Sequence, residues 1–229
     1  MTESADIRFD ALRQDMLDEL AIQGRAFEQR LGRDYFCPQV LEAMASVLRH
    51  EHVPKGVRNL AYGATSLPIG YGKTASEPLV VALMTDLLDL QPHHQVLEIG
   101  SGFGYQTAIL ARLCRYVHSI EIVPEIAAQA QRRLAGANVN NACIGIGDGR
   151  YGWSTEAPFD RVIVTAAPEI IPQTLLAQLA SGGKMVVPAG LAGAQSLLVV
   201  EKSNVGHFSS REVTPVRFAP LLRQHDHSE

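Results

Sequence analysis

The sequence predicts an α/β fold in which helices cover both faces of a mostly parallel β-sheet, with a helical extension in front of it. Three observations support this prediction. From residue 78 onward, short apolar runs typical of buried strands alternate with stretches of helical periodicity. A glycine-rich turn directly follows the first of these strands, and the first 50 residues show only helical periodicity. Strands that alternate with helices form βαβ units, whose strands are parallel.

The N-terminal extension, residues 1–50, is predicted to contain two helices. Each helix is marked by apolar residues at helical spacing, and the second begins behind a proline that suits the first turn of a helix. The first set is Phe9, Leu12, Met16 and Leu20, and the second, behind Pro38, is Val40, Leu41, Met44, Val47 and Leu48.

Residues 51–77 form a long irregular segment, predicted as turns and short extended pieces. Prolines and glycines interrupt any periodicity there. Long irregular segments in compact domains are functional or disordered, and this one is too apolar to be disordered. We therefore expect it to contribute to a functional site.

The remaining chain, residues 78–220, is predicted to form the core of the fold. Its predicted helices span 78–90, 105–113, 124–135 and 172–180, and its predicted strands span 95–99, 116–120, 141–146, 161–165 and 184–188. Two further extended stretches, 195–201 and 212–218, are separated by a polar turn and are expected to pair as a hairpin at one sheet edge. The tail from Arg223 is expected to fray. Because no segment resembles an interdomain linker, residues 1–229 are predicted to be one domain.

Composition excludes several classes of function. Lys and Arg number 20 against 24 Asp and Glu, which gives a net charge of -4 and no basic excess for binding nucleic acid. No apolar run approaches the roughly 18 residues that a membrane helix needs, and the N-terminus lacks an apolar signal segment. We therefore expect a cytoplasmic protein that neither enters a membrane nor binds nucleic acid.

Cysteine and histidine spacing predicts neither disulfides nor a metal site. Cys37, Cys114 and Cys143 lack any CxxC spacing and are expected to be small core residues in a reducing compartment. The pairs His50 with His52 and His93 with His94 have no third ligand at a suitable spacing. No metal is expected.

The turn after the first core strand carries the pattern that binds nucleotide-like cofactors. Glycines there let the backbone approach a ligand, and the following helix offers unpaired N–H groups. The turn differs from a dinucleotide fingerprint, because its third glycine comes one residue early and an acid, Glu98, sits inside the end of the strand. A pyrophosphate would be repelled by that acid, whereas the ammonium and sulfonium of S-adenosylmethionine would not. The predicted cofactor residues of the turn are Glu98, Gly100, Ser101, Gly102, Gly104 and Tyr105.

Two acids after the glycine turn are predicted to contact other parts of the same cofactor. Glu121 follows Gly100 by 21 residues at the end of the next strand, where an acid accepts hydrogen bonds from ribose hydroxyls, and Ile122 follows it. Asp148 and Gly149 lie past the third strand, where the acid can reach the adenine edge. Each feature also has an ordinary interpretation. The glycine turn could simply cap a helix, the acid at the strand end could simply be solvated, and Asp148-Gly149 could be an ordinary turn. Their order and spacing together favour the cofactor.

The sequence from roughly Leu41 to Pro220 resembles the protein-L-isoaspartate (D-aspartate) O-methyltransferase family. The resemblance is carried by Leu67-Pro68-Ile69-Gly70, Ser76-Glu77-Pro78, the glycine turn, Gly147-Asp148-Gly149 with Gly152-Trp153, Ala157-Pro158-Phe159-Asp160, Val164-Thr165-Ala166-Ala167 and the run from Leu179 to Pro188. It implies a class I S-adenosylmethionine-dependent methyltransferase with a Rossmann-like sheet. It further implies methylation of the free α-carboxylate of isoaspartyl residues in damaged peptides or proteins, so that the ester collapses to a succinimide and reopens partly as aspartate.

The resemblance also places the family's active-site serine on Ser76. A carboxylate is ionised at neutral pH and needs no general base, so the serine hydroxyl is expected to orient the attacking group. From the residues alone, Ser76 equally suits a helix N-cap before Pro78. The predicted substrate-binding residues are Lys73, Thr74, Ala75 and Ser76, and Thr165 is expected to contact cofactor or substrate.

Four positions on the substrate side depart from the family pattern: Ala64, Lys73, Ala75 and Glu77. Lys73 either attracts acidic peptides or pairs with Glu77 in solvent. Ala64 and Lys73 leave one alternative open, a methyltransferase for another carboxylate, such as one in a peptide natural product. A second alternative is a protein that binds S-adenosylmethionine without turnover, which loss of the serine would have favoured, but Ser76 is present. A nicotinamide-dependent oxidoreductase is disfavoured, because the expected glycine and relay residues are missing.

Overall fold

The N-terminal extension is helical in the computed structural model, which describes residues 3–34 and 36–223. Helix α1 spans Glu3–Gln23, α2 spans Glu28–Leu31 and α3 spans Pro38–Ser46. Pro38 occupies the first turn of α3, where its missing N–H costs no hydrogen bond. Met16 and Leu20 of α1 and Met44 of α3 are buried in one core with the later helices, which confirms the predicted helical extension.

The irregular segment contains two 3-10 helices and a small hairpin. The 3-10 helices span Arg49–His52 and Lys55–Leu60. Strands β1 (Leu67–Gly70) and β2 (Lys73–Ala75) pair antiparallel, apart from the main sheet. Tyr71, in the turn between them, has a positive φ of 54° and is exposed.

The main sheet has seven strands in the order β5-β4-β3-β6-β7-β8-β9. Its first five members are parallel, and β7, β8 and β9 pair antiparallel at the other edge. The strands are β3 (Gln95–Ile99), β4 (Tyr116–Glu121), β5 (Ala142–Ile146), β6 (Phe159–Val164), β7 (Leu179–Ala189), β8 (Gln195–Lys202) and β9 (Phe208–Val216). The helices between them are α4 (Pro78–Leu87), α5 (Tyr105–Leu113), α6 (Pro124–Gly136) and α7 (Gln173–Ala177). The mostly parallel sheet and the edge hairpin confirm the sequence prediction.

Helices cover both faces of this sheet. Neighbouring residues of one strand point to opposite faces, so Val96 packs with the N-terminal helices, α4, α5 and α6, whereas Leu97 packs with α7. Both side chains are fully buried, as expected for a parallel strand with helices on each side. No helix in the described part of the chain is long and apolar enough to cross a membrane.

Some predicted bounds were wrong. Strand β7 begins at Leu179 and not at residue 184, and α7 correspondingly ends at Ala177 and not at residue 180. The pairing of β7 with β6 shifts register between Phe159 and Arg161. The strand therefore continues across Gly182 and Gly183, which resemble a turn in the sequence. Strand β9 lies earlier than predicted, and the predicted tail lies, after Arg223, outside the described residues.

Candidate active site

A cavity of about 630 Å³ opens at the carboxyl ends of β3, β4 and β6. The chain leaves β3 toward β4 on one side of the sheet and later returns to β6 on the other, which creates the crevice where parallel α/β sheets bind ligands. The small hairpin, the 3-10 helix at Arg49 and the segment 215–222 supply the remaining walls. The volume lies in the range of small-molecule sites.

The structure brings most of the predicted site residues to this cavity. The residues that line it are Lys73, Thr74, Ala75, Ser76, Gly100, Ser101, Gly102, Tyr105, Glu121, Ile122, Gly149 and Thr165. Three predicted cofactor residues, Glu98, Gly104 and Asp148, do not line it.

Gly100 is a position where only glycine fits. Its φ is +94°, and a Cβ atom there would lie 2.4 Å from Oγ1 of Thr165. That hydroxyl donates to the carbonyl oxygens of Ile99, at 2.9 Å, and of Gly100, at 2.7 Å. Thr165, directly after β6, thus fastens the end of β3 to the end of β6.

Glu98 and Gly104 lie outside the cavity wall and pack the glycine turn against the helices that follow it. The Glu98 carboxyl is fully buried and accepts a hydrogen bond from the Thr107 hydroxyl in α5. Burial raises the pKa of Glu98 to about 7. Gly104, at φ +82°, caps α5, and a Cβ there would lie 3.3 Å from Leu134 of α6. The carboxyl of Glu98 is therefore not placed in the cavity wall where we expected it to meet a cofactor ammonium.

Glu121 ties the end of β4 to the glycine turn. Its carboxylate accepts hydrogen bonds from the backbone N–H groups of Gly102 at 3.0 Å, Ile122 at 3.0 Å and Val123 at 3.1 Å. Burial raises the pKa of Glu121, and these hydrogen bonds together with Lys73 oppose the rise. Glu121 is both a wall residue and part of the scaffold of the turn.

Lys73 faces this acid. It is half-buried on β2, lines the cavity and interacts electrostatically with Glu121, while its burial lowers the pKa of the ammonium. Among the ion pairs of residues 3–34 and 36–223, none joins Lys73 to Glu77. The structure therefore does not contain the solvent pair with Glu77, which was one of the two alternatives for Lys73.

Asp148 lies beside the cavity in a close pair with Arg150. Its carboxylate accepts from the Arg150 backbone N–H at 3.0 Å and from Nη2 of the guanidinium at 2.6 Å. Gly149 reaches the cavity wall between them, and a Cβ there would lie 2.3 Å from Cγ2 of Ile99. The turn therefore packs directly on the end of β3.

Ser76 lies in the cavity wall just before α4. The N-cap residue of α4 is Glu77, and its side chain makes no capping hydrogen bond, so the interpretation of Ser76 as the N-cap is wrong. The Ser76 carbonyl oxygen accepts a hydrogen bond of 2.5 Å from Nη2 of Arg49. This backbone bond holds the serine against the 3-10 helix.

Arg49 and His52 are cavity residues that the sequence did not reveal. Arg49 is fully buried, donates from Nε to the Ala61 carbonyl at 2.6 Å, and lies 4.7 Å from the centre of the Tyr105 ring. His52 lies 3.0 Å from the Phe103 carbonyl through Nδ1, and burial lowers its pKa to about 4. The sequence signal that could have indicated their burial is the pair of apolar neighbours, Val47 and Val53.

The segment 215–222 closes the cavity from the other side. The Gln195 side-chain amide donates to the Phe218 carbonyl at 3.1 Å and accepts from the Phe218 N–H at 2.7 Å. Ala167, after β6, exchanges backbone hydrogen bonds with Ala219 and Leu221 at 2.8 and 2.9 Å. This wall was not predicted, because its contacts join distant parts of the chain.

Comparison with known proteins gives consistent matches. A family model described as Protein-L-isoaspartate(D-aspartate) O-methyltransferase matches residues 28–226. Protein-L-isoaspartate O-methyltransferase 1 of Polaromonas sp. is 51% identical over 213 residues, which cover 93% of this chain and 90% of the relative. Protein-L-isoaspartate O-methyltransferase 2 of Syntrophobacter fumaroxidans is 44% identical over 223 residues, which cover 97% and 90%.

Solved structures confirm the fold. A protein-L-isoaspartate O-methyltransferase aligns with a TM-score of 0.78 at 24% identity and covers 93% of this chain and 66% of that one. A Plasmodium falciparum protein described as a putative protein-L-isoaspartate O-methyltransferase, in complex with S-adenosyl-L-homocysteine, aligns with a TM-score of 0.76 at 23% identity and covers 92% and 98%.

Proposed function

The chain belongs to the protein-L-isoaspartate O-methyltransferase family, and we propose that its cavity holds S-adenosylmethionine beside the glycine turn and an isoaspartyl residue beside Ser76. It is an S-adenosylmethionine-dependent protein-L-isoaspartate O-methyltransferase. Its acceptors are isoaspartyl peptides or proteins. None of the relatives favours a natural-product acceptor or a protein without turnover.

One observation supports this arrangement above the others: the glycine turn, Glu121 and the Ser76 loop line one cavity. We assign the backbone of Gly100, Ser101 and Gly102 and the start of α5 to the amino acid part of the cofactor. We assign Glu121 and Ile122 to the ribose and Gly149 to the adenine. The residues fit such a cofactor, because the glycine positions expose backbone and a buried carboxylate stands where ribose hydroxyls need an acceptor.

The reaction demands alignment more than proton transfer. The bound cofactor supplies an electrophilic methyl group on a positively charged sulfur. The acceptor carboxylate is ionised at neutral pH and needs no base, and Ser76 donates a hydrogen bond that orients one of its oxygens. Holding nucleophile and methyl group in line supplies roughly 7–11 kcal/mol of the barrier reduction. The segment 215–222 and the small hairpin exclude water from the aligned pair.

Charge and cysteines support two further proposals. Three unpaired cysteines suit a reducing compartment, so we place the protein in the cytoplasm. The net charge of -4 gives no reason to expect a nucleic-acid partner.

The acceptor is tested with two peptides that differ only in isoaspartate against aspartate, incubated with labelled S-adenosylmethionine. We expect label in the isoaspartyl peptide alone. Base treatment should release it as methanol, as for a carboxyl ester. Equal labelling of both peptides would indicate a different carboxylate specificity. Cofactor binding in calorimetry without label in either peptide would indicate a protein without turnover on this acceptor.

A further inference from the structure

We propose that Arg49 and Tyr105 form the subsite that receives the carboxylate of the cofactor's methionine group. This inference rests on the proposed cofactor position. The sequence predicted neither residue for this role: Tyr105 was expected only as part of the glycine turn, and Arg49 is not among the predicted site residues.

The first observation is an incompletely paired cation inside the cavity wall. Arg49 is 0% exposed, and two of its nitrogens donate to the carbonyl groups of Ala61 and Ser76. Its third nitrogen, Nη1, is buried and has no hydrogen bond of normal geometry within the described chain. Arg49 and Tyr105 interact with each other, but the buried Tyr105 hydroxyl likewise has no hydrogen bond of normal geometry in the described residues. The pair lies in the cavity wall, so a ligand that accepts hydrogen bonds would complete its bonding.

The second observation is the charge around this pair. No described acid forms an ion pair with Arg49; Glu77, the acid that acts on it electrostatically, is half-buried in the same wall. Neighbouring His52 is neutral at pH 7, since burial lowers its pKa to about 4, and Tyr105 stays neutral because its pKa is raised to about 12. Burying an arginine without a carboxylate partner lowers the stability of the folded protein, because the charge loses its hydration. A bound anion would offset that loss.

The position of Arg49 and Tyr105 and the charges of the two reactants indicate which carboxylate binds there. Tyr105 is the first residue of α5, directly after the glycine turn, and the N-terminus of a nine-residue helix adds favourable partial charge. Both reactants carry a carboxylate, but the acceptor's loses its negative charge as the ester forms. A buried guanidinium on the acceptor would stabilise the ground state more than the transition state and slow the reaction. The methionine carboxylate keeps its charge throughout, so pairing it with Arg49 has no such effect.

The test compares S-adenosylmethionine with its decarboxylated analogue in calorimetry. A charge-assisted hydrogen bond predicts that the native protein binds the carboxylated form about 10-fold to 100-fold more tightly. In Arg49→Met this preference should fall close to unity, while the affinity for the decarboxylated analogue should stay within a few-fold. Tyr105→Phe keeps the ring under the guanidinium and should lose part of the preference.

Arg58→Met is the matched control, since Arg58 pairs with Glu51 at the surface through a 2.7 Å contact. It should keep the native preference. Equal binding of both forms by the native protein would overturn the subsite, and so would an unchanged preference in Arg49→Met and Tyr105→Phe. A rise in acceptor KM with unchanged cofactor preference would assign the pair to the acceptor instead. Failure of the native protein to bind either form would contradict the proposed cofactor site itself.

Discussion

At the scale of single residues, Glu121 has two tasks that one substitution cannot separate. Its carboxylate holds the N–H groups of Gly102, Ile122 and Val123, and its remaining lone pairs are those we assign to ribose hydroxyls. Glu121→Ala therefore disturbs the glycine turn as well as the ribose contact. A cofactor analogue without ribose hydroxyls distinguishes the two, because only the direct contact is lost with the analogue.

Residue spacing predicted the scaffold of the site better than its buried polar groups. Gly100, Glu121 and Thr165 occur where parallel strands end, so their places in the sequence predict their meeting. Arg49 lies in no such pattern, because its burial depends on tertiary contacts with Ala61, Ser76 and Tyr105. The direction of the Glu98 side chain likewise depends on packing against α5.

Ser76→Ala tests the orientation of the acceptor. Removing a donor that acts on the transition state is expected to lower turnover about 10²–10³-fold, with cofactor affinity nearly unchanged. The melting temperature should change little, because Glu77 and not Ser76 is the N-cap of α4 and the bond from Arg49 uses the backbone. Turnover, affinity and melting temperature are measured on one preparation.

Ser209→Ala, on the exposed strand β9, serves as the control for this substitution and should be fully active. A Ser76→Ala protein with native turnover would remove the serine from the mechanism.

At the scale of elements, the turn after β3 is fixed by sterics. Gly100→Ala combines a positive φ with a Cβ placed 2.4 Å from the Thr165 hydroxyl. We expect this variant to lose cofactor binding and to lose about 1–3 kcal/mol more stability than positive φ alone would cost. Gly32→Ala is the matched control, since its φ is +73° and its Cβ would meet nothing within 4 Å. Denaturant melts of both proteins give the difference, and equal losses would show that the contact with Thr165 relaxes freely.

The side chain of Gln195 helps to hold the segment 215–222 by forming the two hydrogen bonds that a neighbouring strand would form. Gln195 is 7% exposed and pairs with both backbone groups of Phe218. Gln195→Ala should raise the acceptor KM several-fold and cost about 1–3 kcal/mol, because buried groups lose their partners. Cofactor affinity should fall less. Gln131→Ala, on α6, removes a side-chain bond to the Ile144 carbonyl of β5 and should leave KM unchanged.

A larger effect of Gln195→Ala on cofactor affinity than on acceptor KM would assign this wall to the cofactor. The pairing was invisible in the sequence, because Gln195 and Phe218 belong to a predicted hairpin whose register only the folded sheet defines.

At the scale of the whole molecule, two buried groups should give stability opposing dependences on pH. The pKa of Glu98 is raised from 4.5 to about 7, so its contribution is complete below pH 4.5 and is lost as the pH rises through 7. The pKa of His52 is lowered from 6.5 to about 4, so its contribution is complete above pH 6.5 and is lost as the pH falls through 4.

Glu98→Gln isolates the first of these effects. The amide keeps the acceptor for Thr107 and cannot ionise, so the variant should gain stability relative to the native protein from pH 4.5 to 7, by up to about 3 kcal/mol. The difference is measured by denaturant melts at several pH values and should be constant below pH 4. A difference that does not change with pH would mean that the pKa of Glu98 is the same in the folded and the unfolded protein.

The mostly parallel sheet was predictable, because strands that alternate with helices form βαβ units. The order of the strands within the sheet was not predicted. The bounds of β3 and α5 agreed with the structure to the residue. The early start of β7 was not predictable, since Gly182 and Gly183 have the composition of a turn. They lie within the strand because Leu179 before them and Lys184 after them pair with β6.

The walls of the cavity are formed by the 3-10 helix at Arg49, the glycine turn and the segment 215–222, which lie far apart in the chain. During synthesis, a nascent chain can pair β3, β4 and β6 on the ribosome before the segment 215–222 has emerged. Such an intermediate holds the glycine turn but lacks the wall that shields the acceptor. We therefore expect a chain that ends before residue 215 to lack methyl transfer, even where its glycine turn is formed.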